Sequence, residues 1–130
     1  MPIAHSNGPD GVPQLLLDHL ANVAGRAAAF ASPFGSTVFA EWAGWWHDAG
    51  KVAEDVQAYL LSAPSGSHGP DHSSAGMLMA CEVFEPLAFS IAGHHGSIPD
   101  AQNLRDRIQR KRHEPRVLSV SYTHLTLPTN

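Results

Sequence analysis

Apolar residues recur at helical spacing along most of the chain, and this pattern limits the fold more than any other feature. The segments with this spacing begin near residues 13, 37, 52, 73, 86 and 101, and stretches rich in Pro, Gly or Ser separate several of them. Pro13 is expected in the first turn of the first helix, and the second helix is expected to run from Thr37 to Ala49. No useful run with strand alternation precedes Val117. The sequence therefore predicts an all-α fold, a helical bundle of about five to six helices.

Composition favours one folded domain. The chain has 130 residues, of which 43% are hydrophobic and 15% charged, which suits a packed core better than a disordered chain. It has no apolar run long enough to cross a membrane, and its first residues lack the plan of a signal peptide. We therefore expect a cytoplasmic protein. Its single cysteine, Cys81, fits a reducing compartment and is expected to be a small buried hydrophobe.

Charge is distributed unevenly. Residues 1–104 contain ten acidic side chains and two basic ones, Arg26 and Lys51. Between residues 105 and 116 the balance reverses, and such a basic segment could contact phosphates. It could equally be the solvated face of a helix with Leu104 and Ile108 turned inward. The basic residues of this segment are Arg105, Arg107, Arg110, Lys111, Arg112 and Arg116.

His47 and Asp48 are adjacent in an apolar setting, and Lys51 follows three residues later. Neutral imidazole and carboxylate are both metal ligands, and a carboxylate can bridge two ions. Four further histidines lie on or beside predicted helices. Each histidine alone is better explained as a hydrogen-bonded side chain in the core or at a helix end. Together, however, they favour one metal site assembled from separate helices. These histidines are His19, His72, His94 and His95; His5, His68 and His113, in loops or near the ends, are left out.

The arrangement resembles the HD superfamily of helical metal-dependent phosphohydrolases. More closely, it resembles the HD nuclease domain of the CRISPR-associated type I interference nuclease-helicase, from about Ala4 to the basic segment. The His-Asp pair alone indicates only the superfamily, whereas the two later motifs are more specific. The motifs that carry the resemblance are Asp18-His19-Leu20, His47-Asp48-Ala49-Gly50-Lys51, Asp71-His72-Ser73-Ser74-Ala75-Gly76 and Ile91-Ala92-Gly93-His94-His95-Gly96.

The resemblance implies two divalent ions and a ligand set for each. His19, His47 and Asp48 would hold one ion, and Asp48 would share the second ion with His72, His94 and His95. Two ions about 4 Å apart can clamp the attacking and leaving oxygens of a phosphodiester. A histidine-rich set suits manganese, iron, cobalt or nickel, with magnesium possible. Lys51 would face the same cavity and offset phosphate charge, or else be an ordinary surface lysine.

The implied activity is hydrolysis of single-stranded DNA in antiviral interference, and Asp48 and Lys51 are the candidate catalytic residues. The implied partners are an RNA-guided surveillance complex and a fused or separate helicase. Two alternatives remain open from the sequence. The chain could be an HD phosphohydrolase acting on nucleotides or cyclic dinucleotides, or it could be an inactive helical fragment whose histidines bind structural metal.

The chain departs from the family pattern at its C-terminal end. The family has a late aspartate well beyond the His-His pair, and Asp100 and Asp106 follow His95 too closely to match it. Residues 120–130 have no charged side chain and no helical spacing, and they resemble a translated transposase adapter from DNA library preparation. We therefore expect a C-terminally truncated HD domain over residues 1–119 and a non-native tail over 120–130, which includes His124. With one ligand missing, we expect one ion to bind better than two, and nuclease activity to be weak or absent.

Overall fold

Seven α-helices make up most of the chain that the structure describes, so the predicted all-α class is confirmed. The computed structural model describes residues 1–63 and 66–124, with side chains described as far as residue 120. Two 3₁₀ turns, Ser32–Phe34 and Ala49–Val52, join helices. The helices are α1 (Leu16–Ala31), α2 (Thr37–Trp46), α3 (Glu54–Ser62), α4 (Ser74–Val83), α5 (Glu85–Gly93), α6 (Ala101–Lys111) and α7 (Pro115–His124).

A small antiparallel sheet precedes the first helix. Strand β1 (Ile3–His5) pairs with β2 (Gln14–Leu15), with Ile3 opposite Leu15 and a shift of register between Ile3 and His5. Pro13 therefore precedes β2 and does not lie in the first turn of α1, so that expectation was wrong. Strands of three and two residues are too short to produce a recognisable alternation in the sequence.

Helix α2 ends at Trp46, three residues earlier than the sequence predicted. The chain turns at His47 and Asp48 and continues into the 3₁₀ turn Ala49–Val52. Gly50 is required in this turn because a β-carbon there would collide with the backbone of His72. The close approach of the two segments brings the loop before α4 against the chain that follows Asp48.

The main core surrounds α4 and is closed by α5, α6 and α7. Met77, Ile91, Leu104 and Val117 are among its fully buried side chains, and burying an aliphatic side chain of this size contributes about 1.5–3 kcal/mol. Cys81 is only half-buried and packs against this core, so it is less enclosed than the sequence suggested. Burial raises the pKa of its thiol to about 11, which keeps the unreactive protonated form at neutral pH.

Helix α7 was not predicted, and it extends into the segment interpreted as a foreign tail. Val120 is buried in the main core, and the helix continues to His124. The expectation of no helix in that segment was therefore wrong for residues 120–124, while residues 125–130 lie outside the described part of the chain. The described helices include none with both the length and the apolar character needed to span a membrane.

Candidate metal centre

The six predicted ligands come from four separate parts of the fold and meet around Asp48. His19 is the fourth residue of α1, and His47 and Asp48 follow the end of α2. His72 lies in the loop before α4, and the last two histidines directly follow α5. The side chains form two groups that could each hold a metal ion and that share Asp48: His19, His47 and Asp48 in one, and Asp48, His72, His94 and His95 in the other.

Each carboxylate oxygen of Asp48 faces one group. On the first side, Oδ2 lies 3.1 Å from Nε2 of His19 and 3.3 Å from Nε2 of His47. These two imidazole nitrogens are themselves 3.2 Å apart. The aspartate side chain is only 4% exposed, so its charge is held inside the protein, where electrostatic interactions are stronger than in water.

On the second side, Oδ1 of Asp48 faces three histidines. It lies 3.1 Å from Nε2 of His94, 3.5 Å from that of His72 and 4.0 Å from that of His95. The Nε2 atoms of His72 and His95 are 2.6 Å apart. The His95 side chain is 62% exposed, so this side of the centre is open to solvent while Asp48 is enclosed.

The backbone sets the donor atoms of three of these imidazoles. Nδ1 of His47 lies 2.7 Å from the carbonyl oxygen of Gly44, and Nδ1 of His72 lies 3.2 Å from that of Pro70. Nδ1 of His94 lies 2.7 Å from the carbonyl oxygen of Ile91. A carbonyl can only accept, so Nδ1 carries the proton and the neutral ring presents a lone pair at Nε2. Backbone carbonyls orient metal-ligating histidines in this way in other proteins.

These lone pairs face the oxygens of Asp48, which are also acceptors. Acceptors at such distances repel one another unless a cation or a proton lies between them. The buried His/Asp cluster therefore fits a metal ion, by its donor types and by the direction of its lone pairs. A metal ion bound there would supply Lewis acidity toward a phosphate oxygen or a water molecule.

The pKa of Asp48 reflects its neighbours. Burial alone would raise this pKa, but the contacts with the imidazoles of His47 and His94, together with the Lys51 ammonium group, outweigh burial and hold it far below its usual range. Asp48 is therefore ionised at neutral pH, as a metal ligand must be.

The pKa values of the histidines shift in different directions. Burial lowers the pKa values of His19, His72 and His95, which favours the neutral form that binds metal. Burial acts on His94 in the same direction, but the Asp48 carboxylate and the Ile91 carbonyl outweigh it and raise its pKa. His94 is thus the imidazole of this group best placed to hold a proton between its ring and Asp48.

Lys51 is buried beside Asp48. It is 5% exposed, and its Nζ lies 2.9 Å from Asp48 Oδ2 and donates to the carbonyl of Ala4 at 3.1 Å. The ammonium group therefore neutralises Asp48 and ties the N-terminal strand to the centre. A direct contact with a substrate phosphate, the role implied by the family resemblance, would require Lys51 to withdraw from Asp48.

His5 reaches the same region, although the sequence predicts it to lie outside the site. Its ring meets that of His19 edge-on, with centroids 5.0 Å apart. Strand β1 holds it there, because both the N–H and the carbonyl of Ile3 bond to the side-chain amide of Gln57. The short strand gave no signal in the sequence that would have placed His5 near the metal centre. His68 and His113 are exposed and belong to neither group.

Asp48 is the only carboxylate in either group among the residues that the structure describes. Asp100 caps α6 by accepting the Asn103 N–H at 2.8 Å, and Asp106 accepts from Gln102 on the same exposed helix face. Neither carboxylate takes the place of the late aspartate of the HD pattern.

No protein-family model matches this chain, and no curated protein matches it significantly. The function therefore has to be inferred from the geometry of the site and from the sequence motifs that form it.

Proposed function

We propose that this chain is an HD-type metal-dependent phosphodiesterase domain that acts on single-stranded DNA. The proposal is supported mainly by the position of the Asp48 carboxylate between two histidine groups. Its Oδ2 faces His19 and His47, and its Oδ1 faces three further histidines. A carboxylate shared in this way suits a pair of divalent ions that act together on one phosphodiester.

The chain's own residues would perform four tasks in such a reaction. Asp48 would hold both ions, and the histidines on either side would supply the other ligands that this chain offers. The carbonyls of Gly44 and Ile91 would keep the rings of His47 and His94 turned toward the ions. Lys51 would stabilise the ionised aspartate from the protein interior. The exposed His95 side would admit the substrate from solvent.

Transition metals such as manganese, iron, cobalt or nickel suit the five imidazoles better than magnesium does, because imidazole is a softer ligand than oxygen. The three-histidine group offers four ligands and the His19 group three. We therefore expect the three-histidine group to bind its ion more tightly. The second ion would need a further ligand, such as the late aspartate of the HD pattern.

Single-stranded DNA is the substrate that the family resemblance favours. In that setting the domain would cut DNA exposed by an RNA-guided surveillance complex in the cytoplasm, with a helicase supplying the strand. Arg105 on α6 and Arg112, directly after its end, are exposed and available for phosphate contacts outside the metal centre.

A comparison of substrates tests the proposal. Purified protein with Mn²⁺ would be assayed on single-stranded DNA, on nucleotides and on bis(4-nitrophenyl) phosphate, beside Asp48→Ala. We expect slow cleavage of DNA and of the generic diester, and none by Asp48→Ala. Cleavage that survives Asp48→Ala would overturn the metal mechanism.

The other outcomes separate the competing functions. Hydrolysis of nucleotides in preference to DNA would indicate a nucleotide phosphohydrolase. Metal binding without hydrolysis of any of the three substrates would indicate a structural metal site, and the nuclease proposal would then fail for this chain.

A further inference from the structure

We infer that Arg107 is a positioning residue for the three-histidine group, holding together the two chain segments that carry His72 and His94. The inference rests on the proposed metal binding and extends it to a residue that lies outside both ligand sets. Arg107 belongs to the basic segment, for which the sequence suggested either phosphate contact or simple solvation.

The guanidinium group joins two segments that are distant in sequence. Its Nη2 donates to Oγ of Ser73 at 2.6 Å, and its Nη1 donates to the carbonyl of Ala92 at 2.8 Å. Ser73 directly follows His72, and Ala92 lies two residues before His94. One planar group therefore sets the spacing between the loop before α4 and the end of α5.

A second contact from the same helix strengthens the attachment. Lys111, one turn beyond Arg107, lies 3.0 Å from Asp71 Oδ2. Asp71 also accepts the N–H groups of Ser73 and Ser74, at 3.2 and 3.1 Å, and the hydroxyl of Ser74 at 2.5 Å. Helix α6 thus holds the chain on both sides of His72.

The inferred role follows from how sensitive a metal site is to ligand position. His72 lies in a loop and has no helical hydrogen bonds to fix it. Its ring must meet those of His94 and His95, which come from another segment. Residues that orient metal ligands typically change affinity by about 10–100-fold when they are mutated. Two charge-assisted hydrogen bonds from one guanidinium suit this task, because its donors lie in a fixed planar fork, whereas a lysine carries a single point charge on a flexible stem.

The test measures metal affinity for each group separately. The His19→Ala background removes a ligand from the first group and leaves the three-histidine group complete, whereas His95→Ala does the reverse. In the His19→Ala background, Arg107→Met should weaken Mn²⁺ binding by about 10–100-fold, and Arg107→Lys should weaken it less. Arg110→Met is the exposed control on the same helix and should leave Mn²⁺ binding unchanged. In the His95→Ala background, Arg107→Met should leave binding unchanged.

Thermal midpoints of the metal-free variants separate positioning from folding. All titrations would be made well below these midpoints, so that a merely structural effect would lower the midpoint without changing the dissociation constant. If Arg107→Met does not fold, Arg107→Lys provides the same comparison. Unchanged affinity in the His19→Ala background, or an equal loss in both backgrounds, would overturn the inference. Absence of Mn²⁺ binding in both parent backgrounds would instead count against the proposed function and remove the inference with it.

Discussion

The ammonium nitrogen of Lys51 lies 2.9 Å from Oδ2 of Asp48, and both side chains are almost fully buried. The ammonium group places a positive charge beside the carboxylate oxygen that faces His19 and His47. Lys51 also donates to the Ala4 carbonyl, so the same ammonium group connects the aspartate to strand β1.

Lys51→Met should therefore destabilise the metal-free protein by about 3 kcal/mol, because removing one partner of a buried ion pair leaves the other charge uncompensated. Urea unfolding measures this change. Added Mn²⁺ should restore part of the loss, since an ion that binds only the folded state stabilises it. Arg110→Met is the control, and a loss for Lys51→Met no larger than that of the control would contradict the buried pair.

Gly50→Ala should destabilise the protein by about 1–3 kcal/mol, because a β-carbon would collide with the His72 backbone and force the two segments apart. The same change should weaken Mn²⁺ binding at the three-histidine group. Gly25→Ala is the matched control. A β-carbon at Gly25 meets nothing nearby, so this substitution inside α1 should stabilise the protein by about 0.5–1 kcal/mol. If both substitutions changed the free energy of unfolding in the same direction, the close approach at Gly50 would not be important.

Asp71 should make stability depend on pH in the acid range. Burial raises its pKa, but hydrogen bonds from Ser74 and Lys111 outweigh burial and lower it from 3.8 to about 2. The unfolded chain therefore binds the proton more tightly, and the stabilisation is fully present above about pH 4 and is lost as the pH falls toward 2. Comparison with Asp71→Asn by urea unfolding between pH 2 and pH 7 measures it. A difference in unfolding free energy that stays constant over this range would contradict the lowered pKa.

The fold class, and the histidines and aspartate that the fold brings together, could be predicted from the sequence for physical reasons. Each helix buries one apolar face, so helical spacing is visible along the chain, and Gly or Pro residues mark most of the breaks. The predicted ligands lie at or near helix ends, where the chain leaves the helix next to a neighbouring segment. His47 and Asp48 are the clearest example, because the pair directly follows α2.

The remaining features depend on contacts between distant segments, which no local pattern reports. The role of Arg107 requires knowing that Ser73 and Ala92 lie side by side. His5 reaches His19 through a strand of three residues, too short to show alternation. Helix α7 has little amphipathic pattern at its end, and its packing through Val117 and Val120 decides its conformation.

Titration of the protein and of Asp48→Asn with Mn²⁺ tests the metal centre most directly. Asp48 belongs to both ligand groups, so its loss should affect both. Partners that merely orient ligands change affinity by about 10–100-fold, and loss of the shared ligand should cost at least as much. We predict that the parent protein binds one ion more tightly than a second, and that Asp48→Asn weakens binding of both. Equal affinity and stoichiometry in the two proteins would contradict the account.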